Sequence, residues 1–164
     1  MSMQEILCKQ SKETRCYMMA AKMFFEGYNG IDETTEYRGQ MALDVLGLTK
    51  EDIEMFPVPT YDQLVAHLKT ISDHEVRHWV ICNTYSPVLK SRRKDALGCF
   101  KMFCLDLMWD INEIKETMQQ TEEICELNPI ESNIMSIGNK TGSGCFSVIA
   151  FIIICTSLLA FTIK

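Results

Sequence analysis

Between positions 6 and 25 the apolar residues Cys16, Tyr17, Ala20, Ala21, Met23 and Phe24 recur mostly at helical intervals, until Gly27-Tyr28-Asn29-Gly30 interrupts them. The pattern predicts one long first helix ending at those glycines. Asp32 is placed to cap a second helix, whose face carries Tyr37, Met41, Val45 and Leu46 and which Gly47 closes. Thr49-Lys50-Glu51-Asp52 has the form of a capping box and opens a short helix to Phe56, which Pro57 and Pro59 stop. Thr60-Tyr61-Asp62-Gln63 and Ser72-Asp73-His74-Glu75 are two more boxes, each ahead of an apolar run, and predict helices over 61–71 and 73–85. Pro87 predicts the next break. Beyond it Leu97, Phe100, Phe103, Cys104, Leu107 and Met108 form the strongest apolar stripe, which marks a central helix. Asp110-Ile111-Asn112-Glu113 offers a final box, for a helix to about Cys125. No segment alternates with period two, so the expected class is all-α.

The last part of the chain follows a different rule. Residues 145–163 carry no charge, and Phe146, Val148, Ile149, Phe151, Ile152, Ile153, Ile154, Leu158, Leu159, Phe161 and Ile163 give the run its hydrophobicity. As a helix its roughly 19 residues reach about 28 Å, enough to span a hydrocarbon core. Ser147, Thr156 and Ser157 can bond back to the helix's own carbonyls and are tolerated there. Residues 136–144, rich in Gly, Ser, Thr and Asn, read as a flexible spacer. The expected organisation is a helical domain over 1–126, a polar linker over 127–144 and a transmembrane anchor over 145–163. Lys140 and Lys164 flank the run almost symmetrically, so charge sets no orientation. Met1-Ser2-Met3-Gln4-Glu5-Ile6 lacks the basic and apolar regions of a signal peptide. The expectation is a single-pass protein anchored by its C-terminus in the bilayer, with the N-terminal domain in the cytosol.

Composition narrows the partners. Over 164 residues the net charge is −6, and only Lys90-Ser91-Arg92-Arg93-Lys94 gathers basic residues, which argues against nucleic acid. The eight cysteines form no C-x-x-C pair and sit mostly among Met, Phe and Leu, as reduced thiols acting as small hydrophobes do.

Sliding the chain against itself suggests a repeat at an offset of about 61, pairing Met41 with Met102, Leu46 with Leu107 and Ile53 with Ile114. The run Phe24-Phe25-Glu26-Gly27-Tyr28-Asn29-Gly30-Ile31-Asp32-Glu33-Thr34-Thr35-Glu36, with Leu46-Gly47-Leu48-Thr49-Lys50-Glu51-Asp52-Ile53, resembles the TerB family of tellurite-resistance and stress-response proteins. The resemblance covers about residues 16–123. It implies a compact bundle of about seven helices in two similar halves, and an acidic surface that binds a divalent metal, here through Asn29, Asp32 and Glu36. Asn29-Gly30 replaces the family's Asp-Gly, and residues 87–94 are basic where its second half is acidic. Read from the residues alone, Asn29, Asp32, Glu33 and Glu36 either gather oxygens as Ca²⁺ or Mg²⁺ requires or form a solvated turn with acids at a helix start.

His74-Glu75-Val76-Arg77-His78 is an H-E-x-x-H sequence, in which two His one turn apart hold zinc and the Glu activates water. It defines the alternative reading, a membrane-anchored zinc metallopeptidase. Glu75 is already assigned to the Ser72 box, Arg77 adds positive charge beside the ligands, and no third ligand stands at a recognised spacing downstream. There is no Gly-rich phosphate loop and no G-x-S-x-G elbow, and Trp79 and Trp109 read as core or groove residues. The favoured expectation is a non-enzymatic, membrane-tethered interaction or sensing module with protein partners at the cytosolic face and no firm cofactor.

Overall fold

In the computed structural model, which describes residues 1–30 and 33–127, short polar side chains decide where helices begin. Ser2 and Glu5 close a capping box ahead of α1 (Met3–Leu7), and Ser11 Oγ accepts the Thr14 N–H at 3.0 Å to start α2 (Lys12–Glu26). The expected single helix over 6–25 is therefore two. Ser11 offers the backbone a local partner, and the chain turns at Lys9 and Gln10 before the apolar stripe resumes.

After α3 (Glu33–Leu46), the boxes of Thr49 with Asp52 and Thr60 with Gln63 both form in full, starting α4 (Lys50–Glu54) and α5 (Tyr61–Leu68). The latter ends three residues before the expected Ile71. The Ser72 box does not form. Asp73 takes its place, its carboxylate accepting the N–H of Glu75 at 3.0 Å and of Val76 at 3.3 Å to start α6 (His74–Ser91). A carboxylate is the stronger acceptor at a positive helix end, so it displaces the neighbouring hydroxyl. After α7 (Lys94–Leu107), Asp110 accepts from the Asn112 and Glu113 N–H groups at 2.8 and 3.1 Å and starts α8 (Ile111–Leu127). Among the described residues there are eight helices and no strand. No helix among them is long and apolar enough to cross a membrane; the run at 145–163 and residues 128–144 of the expected linker lie outside the described residues, while Leu127 ends α8.

Helix α6 runs through the break expected at Pro87. That ring removes the N–H that would bond the Asn83 carbonyl, a change costing about 3 kcal/mol in a solvated helix. Here Thr84, Tyr85, Pro87 and Val88 are all buried, and their packing carries the helix on to Ser91. It stops at Arg92, which adopts the left-handed conformation with φ 53°. Nor is α7 the central helix. That position belongs to α6, which packs against α1, α2, α7 and α8. α7 buries Ala96, Phe100, Phe103, Cys104 and Leu107 on one face, while Met108 at its end is 77% exposed. Phe25 of α2 lies 5.2 Å from Phe103 and 5.7 Å from Phe100, whose ring stacks on Tyr85 of α6 at 4.8 Å. This aromatic cluster joins α2, α6 and α7.

The cysteines are less uniformly buried than expected. All six described are free, and Cys16 and Cys104 are buried, but Cys8 is exposed and Cys82, Cys99 and Cys125 are partly exposed.

Helices α3 and α7 begin and end 61 residues apart, and α4 and α8 begin at the same spacing. Leu46 and Leu107 are both fully buried, Ile53 and Ile114 are buried, and Met41 and Met102 are half exposed. Gly47 (φ 59°) and Met108 (φ 56°) both turn the chain through the left-handed region after these helices. α2 and α6 begin 62 residues apart.

Only one of the two turns carries the residue suited to it. A Cβ on Gly47 would meet Cys8 Sγ at 3.0 Å and the Arg15 guanidinium at 3.1 Å, besides the cost of its φ. Gly47→Ala is expected to destabilise the fold by at least about 1–2 kcal/mol. Met108→Gly, which loses an exposed side chain and relieves the same strain, is expected to gain up to about 1 kcal/mol. Urea denaturation of the full chain in detergent checks both signs; two losses of similar size would refute the left-handed assignment at Met108.

Candidate functional site

The histidines of the H-E-x-x-H sequence occupy the first two turns of α6, where it faces α8. His74, Glu75 and His78 line an open groove of about 350 Å³ whose far side is Glu113, Glu116, Thr117 and Gln120. The local sequence accounts for the near wall, since residues four apart share a helix face. The far wall comes from a helix more than 30 residues downstream, so nothing in the local sequence sets its acids Glu113 and Glu116 opposite His74.

His78 is engaged on both ring nitrogens. Its Nδ1 lies 3.1 Å from Thr117 Oγ1 and its Nε2 lies 3.5 Å from Cys82 Sγ, which in turn accepts from Thr121 Oγ1 at 3.3 Å. His74 is 63% exposed, with its Nδ1 3.8 Å from Glu75 and its Nε2 3.9 Å from Glu113. Between them stands Arg77, whose Nε and Nη2 donate to the two oxygens of Glu113 at 2.9 and 2.8 Å. Its guanidinium also lies 6.0 Å from the centre of the Trp109 ring. Arg77 Nη1 adds a bond of 3.0 Å to the Ser72 carbonyl. Glu113, the nearest carboxylate for a third ligand, is thus held by a bidentate pair.

The residues present do not fit a catalytic zinc. A zinc ligand uses one ring nitrogen for the metal and steadies the ring with the other, whereas both nitrogens of His78 meet side chains of the α6–α8 seam, and a guanidinium sits among the ligands. Among the described residues no three His, Cys, Asp or Glu side chains converge as a metal site. Burial pushes the Cys82 thiol above its ordinary pKa, which disfavours the thiolate that a nucleophile or metal ligand requires. His67, the remaining histidine, is turned elsewhere. It stacks on Tyr17 at 4.1 Å and meets Thr14 Oγ1 at 3.0 Å.

Of the set Asn29, Asp32 and Glu36, the structure describes two. Asn29 lies in the turn after α2, where its N–H donates to the Glu26 carbonyl at 2.9 Å; Gly30 follows at φ 83°. Glu36 is exposed on α3. Asp32 lies outside the described residues.

A second polar cluster was not anticipated. Lys22 and Glu26 of α2 are buried and joined to Arg38 of α3, and all three line a cleft of about 230 Å³ between α2, α3 and α6. A signal was present, for Lys22 and Glu26 stand one turn apart within an otherwise apolar stretch. What the stretch does not show is the Arg38 contribution from the next helix.

No family model, no curated protein and no solved structure matches the chain.

Because Arg77 and Glu113 tie the start of α6 to α8, Glu113→Gln is expected to destabilise the protein by about 1.5–3 kcal/mol, the value of a hydrogen bond to a charged group. The same protein is expected to contain substoichiometric zinc after purification without chelator. Elemental analysis of the full chain beside His78→Ala decides. Stoichiometric zinc that the substitution removes would restore the peptidase reading.

Proposed function

We propose that this chain is a membrane-tethered helical interaction or sensing module, non-enzymatic and of a TerB-like, stress-response kind, held at the cytosolic face by residues 145–163. The observation that carries the reading is the uncharged run itself, placed behind a bundle with its own core. In hydrocarbon the backbone of such a run is satisfied as a helix.

Three features support the rest. At the H-E-x-x-H groove His78 meets Thr117 and Glu113 is held by Arg77, contacts that join α6 to α8. The recurrence of helix boundaries at 61–62 residues supports two similar halves, as the TerB resemblance implies. Holding a weak binder in two dimensions raises its effective concentration without new contacts, which gives a tether behind such a bundle its purpose. Protein partners and the bilayer are the interactions expected, with divalent metal at Asn29, Asp32 and Glu36 an accessory if the site forms.

The test is extraction of cell membranes carrying the full chain. The native chain is expected to stay in the pellet through alkaline carbonate, with its N-terminal bundle open to protease added on the cytosolic side. Replacing Ile152 and Ile153 by Lys, at about 2.5–3.5 kcal/mol each near the middle of a span, is expected to move the protein to the soluble fraction. Release of the native chain by carbonate would overturn the tether.

A further inference from the structure

Lys22 and Glu26 lie inside the face of α2 that packs on α6, at 5% and 4% exposure. Lys22 Nζ donates to Glu26 Oε2 at 3.2 Å, and Arg38 donates to Glu26 Oε1 through Nε at 3.0 Å and also through Nη2. Arg38 Nη1 goes to Thr34 Oγ1 at 2.6 Å. One carboxylate therefore serves two cations, and with Lys22 protonated the cluster holds a surplus of one positive charge. The Lys22 ammonium has three protons and one side-chain acceptor. Burial lowers its pKa although Glu26 opposes the change, so an additional counter-charge would relieve it.

A buried ion set is often no more stabilising than apolar residues of similar volume, and the corresponding positions of the later helices make the point within this chain. Thr84 and Val88, 62 residues after Lys22 and Glu26, are buried and uncharged, and Cys99 stands 61 residues after Arg38. The α6–α7 pair packs without ions where the α2–α3 pair keeps three. The three also open on the cleft, whose other walls include Met41, Val45, Trp79 and Pro87. At about 230 Å³ it falls below the roughly 300–1,000 Å³ of sites for drug-sized ligands. A ligand of this cleft would have to be small.

We propose that this cleft binds a small organic monocarboxylate with an apolar or aromatic body, its carboxylate received by Lys22 and Arg38 and its body by Trp79, Met41 and Val45. A single negative charge matches the surplus. A phosphate dianion would set an unmatched charge beside Glu26 and lose its hydration to apolar walls. The site goes beyond the tether reading and does not rest on it.

Benzoate is a suitable probe, with benzyl alcohol as its uncharged counterpart. The full chain in lipid nanodiscs is titrated by calorimetry against empty nanodiscs, and 4-iodobenzoate reports on the cleft by quenching Trp79 fluorescence. Benzoate is expected to bind at least tenfold more tightly than benzyl alcohol, and Lys22→Met, which leaves the neutral Glu26–Arg38 pair, is expected to weaken it at least tenfold. Should that variant not fold, Met41→Trp, at a half-exposed wall position, is expected to fill the cleft and abolish both binding and quenching. The proposal is overturned if the native chain does not bind benzoate, if benzyl alcohol binds as well, if inorganic phosphate displaces benzoate at equal concentration, or if the folded variants bind like the native chain.

Discussion

The helices α1, α2, α7 and α8 are positioned by the burial of α6. The helix is covered by α2, α7 and α8, and it also touches α1, while Phe25 of α2 meets Phe100 and Phe103 of α7 beside it. Its continuity through Pro87 shows how strongly the surroundings act. A break at that residue would expose Tyr85 and Val88 and open the stack on Phe100. Burying such side chains is worth about 1.5–3 kcal/mol each, which outweighs one missing hydrogen bond and the strain of the ring. The same helix supplies one wall of each polar feature, His74 and His78 toward α8 and Trp79 and Pro87 toward the cleft with α2 and α3.

The two charged clusters on either side of α6 differ in a way that bears on function. Arg77 and Glu113 make a balanced, bidentate pair with little left over, and with His78, Thr117, Cys82 and Thr121 they close a seam. Lys22, Glu26 and Arg38 are unbalanced by one charge and face a cleft with an indole in its wall. The first arrangement holds helices together. The second has capacity to spare for a ligand. Thus the second histidine of a motif whose sequence suggests zinc chemistry is tied into a helix seam, and a charged pair hidden in an apolar stretch has the chemistry of a binding site.

What could be read from the sequence was governed by the range of the forces involved. The boxes at Thr49 and Thr60 were legible because both hydrogen bonds of each lie within four residues. The helix class followed from periodicity in the same way. Ser72 was misread because Asp73, one residue on, competes for the same N–H groups. The break at Ser11 was missed because apolar spacing looked continuous across it, and Pro87 because the packing that overrides it comes from α7 and α2. The site was legible only in part. His74, Glu75 and His78 could be named, but their meaning depends on Thr117 and Glu113, and the cleft depends on Arg38 joining a pair on another helix.

Amide hydrogen exchange of the full chain, followed by mass spectrometry, measures most directly whether α6 organises the bundle. Amides over 76–88, on both sides of Pro87, are expected to exchange slowest and only through global unfolding, with α1 and α4 opening earlier. Fast exchange beyond Asn83, with α7 remaining protected, would show that the helix breaks at the proline and that the centre of the fold lies elsewhere.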